Sequence, residues 1–486
     1  MKILEEINNL LWSNAMIYFV IIAGLYFSFR TRFLQIRLVR EMIQLMIKGK
    51  SSESGISPFQ ALALSLSGRV GTGNIAGTAT VIAFGGPGSI FWMWLIAIIG
   101  ASTSYVESTL AQIYKEKEHG LYRGGPAYYI EKGFGHKWYA KVYAAIFAIA
   151  AILAMSLLMP GIQSNSIALS FQEAFNVPLL YTGIFLIVLL AIIIFGGVKR
   201  IVQVAQFAVP FMAIGYIILA LIIVFIHAPE LPRILKLIVT SAFGLEPALG
   251  GILGMTIIWG VKRGIYSNEA GQGTGPHAAA VAEASHPAKQ GLVQAFSIYI
   301  DTLLVCSATA FMILVTGKYN VEGPNNTFIV QNLPNVEAGT AFTQAAIETV
   351  FTGFGAGFVA IALFFFAFTT IMAYYYIAET NIIYLLRGKK YDWALFLLKL
   401  VLLFSVFYGC IRTAKFAWML GDIGLGIMVW LNMIAIIFLA KHTFTALRDY
   451  EEQRKKGLDP QFNAKQLEIE HADFWSEVKE QEEKIS

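Results

Sequence analysis

The sequence contains little charge. Only 14% of its 486 residues are Asp, Glu, Lys or Arg, and 57% are hydrophobic, whereas a soluble domain carries about 25% charged residues. Because lipid does not solvate charge, apolar runs of about 20 residues replace the amphipathic stripes of soluble helices. The composition therefore indicates a membrane protein and excludes a soluble enzyme.

Cysteine and histidine are also scarce. The two cysteines, Cys306 and Cys410, lie in different apolar runs, and the seven histidines are scattered along the chain. Neither residue type occurs at the spacing of a metal site, so we expect two small buried side chains and no zinc or haem cofactor. The net charge of +5 resides in loops between apolar runs, and therefore it does not indicate a nucleic-acid partner.

Eleven apolar runs have the length and composition of membrane-spanning helices. They cover residues 14–29, 57–84, 88–113, 139–160, 179–197, 202–226, 244–262, 290–316, 355–386, 393–411 and 416–440. The sequence therefore predicts an all-α membrane protein with eleven transmembrane helices in contact with lipid. Since eleven is odd, the two termini lie on opposite sides of the membrane.

The distribution of basic residues predicts the orientation. Most of the 36 lysines and arginines fall on one side if the N-terminus is outside, including Lys262 and Arg263 in a loop after the seventh span. Positively charged loops stay in the cytoplasm, so we expect a multi-pass protein of the cell membrane with an external N-terminus and a cytoplasmic C-terminus. The charged segment 441–486 then forms a cytoplasmic tail, predicted to be a solvated or membrane-surface helix.

The second span contains Gly71-Thr72-Gly73-Asn74 close to its middle. Glycine inside a helix costs roughly 1 kcal/mol relative to alanine, and the polar groups of Thr72 and Asn74 must be desolvated. The pattern favours a discontinuous helix whose free backbone groups bind a cation and a carboxylate. The alternative is close helix packing, because Gly73 and Gly77 also form a GxxxG motif.

A second glycine cluster, Gly250-Gly251 followed by Gly254, lies in the seventh span. It comes five spans after the first cluster, so the two interrupted helices would enter the membrane from opposite sides. This arrangement predicts two inverted five-helix repeats, residues 57–226 and 227–440, with a binding site between them at the middle of the membrane.

Other polar residues of the spans are open to two interpretations. The adjacent hydroxyls of Thr369 and Thr370 in the ninth span complete a cation site of oxygen ligands, or they bond to their own helix. Tyr374 lies four residues after Thr370 and therefore on the same helix face. Gln163, at the end of the fourth span, contacts substrate or is solvated in an outer loop. The stretch 266–276 is predicted to be a cytoplasmic loop that enters the next helix and belongs to an inner gate.

Five ionisable residues lie within the spans, where desolvation makes each of them a candidate for function. Most are near the ends of spans, where long side chains reach the interface, so we expect structural or gating ion pairs and assign none of them to substrate. They are Arg69, Glu107, Asp301, Glu348 and Glu379.

Four stretches of the chain resemble the alanine or glycine:cation symporter family. They read VGTGNIAGTATVIAFGGPGSIFWMW (70–94), YRGGPAYYI (122–130), RGIYSNEAGQGTGPHAAA (263–280) and FAFTTIMAYYYIAE (366–379). The resemblance implies the fold of the bacterial leucine transporter, a 5+5 inverted repeat. It also implies one extra N-terminal helix, which with a basic linker occupies residues 1–56.

The resemblance implies which residues form the site. Two backbone carbonyls and two hydroxyls would bind sodium, and they belong to Ser67, Val70, Thr369 and Thr370. The amino acid pocket would be lined by Asn74, Gly77, Gln163, Thr370 and Tyr374.

Two positions depart from the pattern of the family. Tyr374 stands where many members have tryptophan. The aromatic ring at this position is expected to bound the pocket for the substrate's side chain, so the change affects which size of substrate fits. Gln272 stands where many members have methionine, and it bears little on substrate because it lies in the predicted cytoplasmic loop.

The function implied by the resemblance is sodium-coupled symport of a small neutral amino acid, alanine or glycine, into the cell by alternating access. The alternative is a proton-coupled amino acid transporter of the same superfamily. A channel would need a filter or charged rings, and a membrane enzyme would need a nucleophile with a neighbouring base or a metal cluster. The sequence has neither pattern.

Overall fold

The computed structural model describes residues 2–48, 52, 55–118, 120–324 and 327–476, which form a bundle of helices. Among these residues, eight helices are long and apolar enough to cross a membrane. The second and seventh predicted spans are divided into shorter helices, and the fifth, Leu179–Ile194, has only 16 residues. The count of eleven transmembrane helices therefore stays a prediction.

The first part of the chain contains the first to the sixth predicted spans. It begins with α1 Lys2–Leu11, α2 Asn14–Arg30, α3 Leu34–Arg37 and α4 Val39–Lys48. There follow α5 Pro58–Arg69, α6 Thr78–Gly85, α7 Ser89–Ile113, β1 Glu116–Glu118, β2 Leu121–Arg123, α8 Pro126–Gly133, α9 Trp138–Leu153, α10 Pro160–Phe175, α11 Leu179–Ile194 and α12 Gly197–Ile226. Strands β1 and β2 pair as an antiparallel hairpin.

The second part contains the remaining predicted spans. Its elements are α13 Leu231–Ala242, α14 Leu253–Asn268, α15 Gly275–Val281, α16 Pro287–Ile298, α17 Ser307–Val315, β3 Asn320–Glu322, β4 Phe328–Gln331, α18 Thr340–Glu348, α19 Gly355–Leu385, α20 Asp392–Cys410 and α21 Ala414–Lys455. Strands β3 and β4 form a second antiparallel hairpin. The interior lies where α5, α7, α14 and α16 meet α10 and α19.

Helix α5 begins at a capping box. Ser57 Oγ accepts a hydrogen bond from the Gln60 amide at 3.2 Å, and Gln60 Oε1 accepts one from the Ser57 amide at 3.0 Å. Pro58 occupies the first helical position, where no amide hydrogen is required. These contacts fix the point at which α5 enters the bundle.

Glycines allow the helices around the interior to approach closely. An added Cβ on Gly409 of α20 would lie 2.5 Å from the Cα of Gly161 in α10. An added Cβ on Gly260 of α14 would lie 2.6 Å from the carbonyl oxygen of Ser89 in α7. Because lipid tails are as apolar as leucine, helices in a membrane associate through such close packing, and α10 and α14 are held firmly in this way.

The segment after α21 packs against the protein instead of extending into solvent. Residues 457–476 fold back across one side of the bundle, and Phe462 and Trp475 are almost fully buried with their ring centroids 5.1 Å apart. Trp475 Nε1 donates to the backbone at the end of α7 at 2.9 Å. The residues 477–486 of the predicted tail lie outside the described part of the chain. We call the side that carries residues 457–476 the tail face.

Candidate functional site

The second predicted span is interrupted inside the bundle. Helix α5 ends at Arg69, Val70 is extended with φ −77° and ψ 90°, and the chain resumes as a π-helix over Gly73–Gly77 before α6. Asn74 Oδ1 accepts a hydrogen bond from the Gly71 amide at 2.9 Å. The side chain thus replaces a lost helical bond, and the predicted discontinuity at Gly71–Asn74 is confirmed.

The interruption predicted at Gly250–Gly254 is wrong. Gly250–Ile252 is a short 3₁₀ turn, and α14 then runs unbroken over Leu253–Asn268. The interruption comes after α14, where Glu269 has a left-handed conformation with φ 56° and a turn leads into α15. The glycines mark only the start of the helix, where the first amides have no helical partner in any case.

The stretch 266–276 is buried in the interior and is not a cytoplasmic loop. Several of its polar groups have partners there: Thr274 Oγ1 donates to Glu269 Oε2 at 2.7 Å, and the Gly273 amide donates to Glu107 Oε2 at 3.2 Å. Buried polar groups are tolerated when they are hydrogen-bonded. This pairing explains why a polar sequence lies inside the protein.

Asp301 joins the two interruptions. It lies in a π-helical turn over Tyr299–Cys306 between α16 and α17. Its Oδ1 accepts a hydrogen bond from Asn74 Nδ2 at 2.7 Å, and its Oδ2 accepts from Ser267 Oγ and Thr302 Oγ1, both at 2.8 Å. All four side chains are buried. One carboxylate therefore contacts both broken spans.

Gln163 lies in the middle of the fourth span and not at its end. The span continues as one helical run over Trp138–Phe175, and the Gln163 side chain is almost fully buried. Its Oε1 accepts from the Thr72 amide at 3.1 Å, and its Nε2 lies 3.4 Å from the hydroxyl of Tyr374 and 3.5 Å from that of Tyr266. Of the two interpretations of Gln163, the solvated one is therefore wrong.

The four predicted sodium ligands are buried near the contact between α5 and α19. An added Cβ on Gly71 would lie 2.6 Å from Thr370 Oγ1. Both predicted threonine hydroxyls donate to the carbonyl oxygen of Phe366, at 3.0 and 2.9 Å. This donation uses the hydroxyl hydrogen, and the oxygen lone pairs stay available to a cation. The four ligands are Ser67, Val70, Thr369 and Thr370.

Gly77 lies beside the aromatic side chain of Trp418, which packs against that of Tyr266. An added Cβ on Gly77 would lie 3.7 Å from the ring of Trp418 in α21. The Trp418 ring centroid is 5.1 Å from that of Tyr266, and the Arg263 guanidinium lies 4.2 Å from the Trp418 centroid. Aromatic rings and a cation therefore close the interior beside the second-span break.

Lys262 and Arg263 do not lie in a cytoplasmic loop. Both belong to α14 and pair with Asp422 of α21: Lys262 Nζ donates to Oδ2 and Arg263 Nη1 to Oδ1, each at 2.7 Å. All three side chains are less than 10% exposed. Two adjacent basic residues after an apolar run suggest the end of a span. The sequence does not reveal that Asp422, 159 residues after Arg263, is their partner.

The expectation of ion pairs holds for one of the five ionisable residues of the spans. Glu379 of α19 accepts from Arg123 of β2 at 2.9 Å in a buried pair. Arg69 bonds instead to serine hydroxyls of α7 and α16, and Glu107 accepts from an asparagine of α21 at 2.8 Å. Glu348 accepts backbone amides at the start of α19. Asp301 belongs to the site.

The structure brings the predicted residues Asn74, Gln163, Thr370 and Tyr374 together, with Gly77 at the edge. Sequence reasoning missed Asp301, Ser267, Tyr266 and Trp418 as site residues. Asp301 was marked only by its charge within an apolar run, and residues 266 and 267 lie in a stretch of family resemblance that was interpreted as a loop. No sequence signal pointed to Trp418.

Comparison with known proteins gives consistent relatives. A family model described as the sodium:alanine symporter family matches residues 1–464. The protein YrbD of Bacillus subtilis (strain 168) is 64% identical over 482 residues, which cover 99% of each chain. A protein of Bacillus sp. (strain PS3), named sodium/proton-dependent alanine carrier protein, is 57% identical over 436 residues, 89% of this chain and 97% of its own.

Solved structures share the fold at low sequence identity. The crystal structure of MhsT in complex with L-phenylalanine matches with a TM-score of 0.53 at 15% identity, over 82% of this chain and 99% of that chain. The manganese transporter of Eremococcus coleocola matches with a TM-score of 0.51 at 11% identity, over 81% and 87% of the two chains. These matches support the predicted leucine-transporter fold. At such low identity they carry no information about individual site residues.

Proposed function

This chain belongs to the sodium:alanine symporter family, so it is a multi-pass membrane transporter and not an enzyme, and we propose that it carries alanine or glycine into the cell together with sodium. It would lie in the cell membrane with its N-terminus outside and its tail face in the cytoplasm. The observation that carries this proposal is the contact of Asp301 with both broken spans, through Asn74 and Ser267.

Broken helices are suited to binding a zwitterion and a cation. At each break, backbone groups lose their helical partners, so amide hydrogens can bind a carboxylate and carbonyl oxygens can bind an ammonium group or a metal ion. Here the breaks at Val70 and Glu269 lie in the interior of the protein, away from water. We assign the carboxylate of the amino acid to the amides of Gly73–Gly77 and its ammonium group to the second break.

The close packing around the breaks favours a small substrate. An added Cβ on Gly73 would lie 3.0 Å from the Tyr266 ring. Gln163 lies within 3.5 Å of the hydroxyls of both Tyr266 and Tyr374, and Trp418 lies beside Gly77. Because the groups around the breaks are packed so closely, a substrate with a small side chain, glycine or alanine, would disturb this packing less than a larger amino acid.

The buried charges around the breaks call for a coupling cation. Three buried carboxyl groups, those of Glu107, Glu269 and Asp301, lie around one buried arginine, Arg69, so negative charge is in excess when all three are ionised. Uncompensated negative charge inside a membrane protein is strongly unfavourable. A sodium ion at Ser67, Val70, Thr369 and Thr370, or a proton on one of the carboxylates, would reduce this excess. We favour sodium because the hydroxyl oxygens meet the preference of hard cations for oxygen ligands.

Two buried ion clusters can act as alternating barriers. Lys262, Arg263 and Asp422 join α14 to α21, and Arg123 and Glu379 join the hairpin β1–β2 to α19 on the tail face. In alternating access one cluster would open while the other stays closed. One positive charge entering through a potential of about 100 mV supplies roughly 2.3 kcal/mol, which corresponds to about a fifty-fold concentration ratio.

Proton coupling is the second candidate. The observation that favours it is that Asp301 and Glu269 are buried carboxylates beside the breaks, and a buried carboxylate can take up and release a proton. A proton-coupled transporter would use the same pocket without a sodium site.

Uptake in proteoliposomes tests the proposal. We expect purified protein to accumulate labelled alanine in a saturable way when sodium is outside, and unlabelled glycine should compete while glutamine should not. Replacing sodium by choline at constant pH should stop accumulation. Accumulation in choline that follows an imposed pH gradient would support proton coupling instead, and the absence of any saturable uptake would reject both.

Replacing Thr369 by alanine should weaken sodium binding. The change removes one ligand oxygen, and loss of a contact worth 1.4 kcal/mol raises the half-saturating sodium concentration about tenfold. The measurement is the initial rate of alanine uptake as a function of sodium concentration. Thr443→Ala is the matched control, because Thr443 is also buried and also donates to a carbonyl three residues earlier. Equal sodium affinity in the two variants would contradict the proposed ligand set.

A further inference from the structure

A cavity lies outside the transport site, at the end of α2 on the tail face. It has a volume of about 400 Å³ and lies between the end of α2 and the last turns of α21. Its lining is formed by Arg30, Thr31, Arg32, Phe444, Leu447, Arg448, Glu451, Glu452 and Lys455. The transport mechanism uses none of these residues.

The cavity carries excess positive charge. Glu451 is already neutralised, because it accepts from Arg32 and from Arg37, the latter at 2.6 Å. The three remaining cations are exposed and form no ion pair with any carboxylate in the described part of the chain, and Glu452 is the one other acid of the lining. These cations are Arg30, Arg448 and Lys455. The cavity is therefore suited to an anion.

An apolar strip leads from this cavity along α2. Ile22, Tyr26 and Phe29 recur at helical spacing on one face and are 65%, 42% and 64% exposed. Phe444 joins the strip to the basic lining, since its ring centroid lies 6.1 Å from that of Tyr26 and 5.1 Å from the Arg30 guanidinium. A ligand that follows this path meets cations at one end and aromatic and aliphatic side chains at the other.

We propose that this cavity binds the phosphate headgroup of an anionic glycerophospholipid, whose acyl chains lie along Ile22, Tyr26 and Phe29. Basic pockets at the cytoplasmic ends of transmembrane helices attract anionic headgroups, and the apolar strip accounts for a lipid and not a free phosphate ion. Arg30 and Arg448 contact the phosphate, and the lipid joins the extra N-terminal helix to α21.

Lipid binding to the full-length protein in uncharged detergent tests this site. We compare wild type with Arg30→Gln/Arg448→Gln by native mass spectrometry and by thermal unfolding during titration with phosphatidylglycerol. Two cations near a headgroup contribute enough that their loss should weaken binding about tenfold or more. The control is Lys389→Gln/Lys390→Gln, which removes two exposed cations in the loop before α20 and should bind as wild type does.

The other arms of the experiment separate the possible ligands. Phosphatidylcholine should bind more weakly than phosphatidylglycerol, and inorganic phosphate at the same concentration should leave the unfolding midpoint unchanged. If inorganic phosphate stabilises wild type as much as the lipid does, the cavity is a free-anion site and the lipid assignment is wrong. Equal phosphatidylglycerol affinity in wild type and Arg30→Gln/Arg448→Gln, with both folded by circular dichroism, also overturns the proposal.

Discussion

Asp301→Asn is expected to lower the initial rate of alanine uptake by about tenfold to a hundredfold, which corresponds to the 1.5–3 kcal/mol typical of a hydrogen bond to a charged group. Asparagine has nearly the same shape, so the packing of Asn74 and Ser267 around position 301 is retained. The variant lacks the negative charge that joins the two breaks. The measurement is sodium-dependent uptake in proteoliposomes at equal protein content.

The response of Asp301→Asn to ions also identifies its role. If the carboxylate attracts sodium, high sodium should restore part of the rate, whereas a carboxylate that carries the proton leaves a variant that exchanges alanine but does not accumulate it. Asp449→Asn is the control, since Asp449 lies near the end of α21 and pairs with His286 outside the site. Uptake by Asp301→Asn within twofold of wild type, with the same sodium dependence, would contradict the assigned role.

Asp422→Ala is expected to cost about 3–5 kcal/mol of stability, the typical effect of removing one partner from a buried ion cluster. Lys262 and Arg263 would be left as two buried cations without a carboxylate. The measurement is the midpoint of unfolding of purified protein in detergent. An exposed pair provides the comparison: Glu230→Ala, which removes the partner of Arg233, should change stability by about 0–1 kcal/mol.

A triple variant separates charge from packing at this cluster. Lys262→Met/Arg263→Met/Asp422→Leu removes all three charges while keeping most of the side-chain volume, so it should regain most of the stability lost in Asp422→Ala. If the triple variant is as unstable as Asp422→Ala, lost packing and not an uncompensated charge explains the effect. The triple variant should also fail to close this barrier, and its uptake should fall although its fold is intact.

The break in the second span could be predicted because its signal is local. Gly71, Gly73 and Asn74 are unfavourable in a continuous apolar helix whatever surrounds them, and the helix is interrupted there. The break after the seventh span could not be predicted, for the complementary reason. The glycines of this span lie at a helix start, whereas its true break, at Glu269, lies in a polar stretch that resembles a loop until its tertiary partners are known.

The sequence also does not show whether a polar side chain in an apolar run lies at the membrane boundary or inside the bundle. The sequence predicts Gln163, Lys262 and Arg263 at or beyond span ends, because isolated polar groups in an apolar run suggest the membrane boundary. In the fold they are buried beside Tyr374 and Asp422, which supply the hydrogen bonds and the charge that lipid cannot. The charged composition of the tail predicts a solvated or membrane-surface segment, but buried Phe462 and Trp475 hold residues 457–476 against the bundle.

By itself, the sequence determined that this is a helical membrane protein of a known transporter family, with a discontinuous helix at Gly71–Asn74. Hydropathy and glycine placement settle these features, since desolvation and backbone entropy act residue by residue. Only the tertiary structure decided that Asp301 meets Asn74 and Ser267, and that Asp422 neutralises the two cations of α14. Those pairings join residues far apart in the chain, and the energy of a buried charge depends on which partner the fold brings to it.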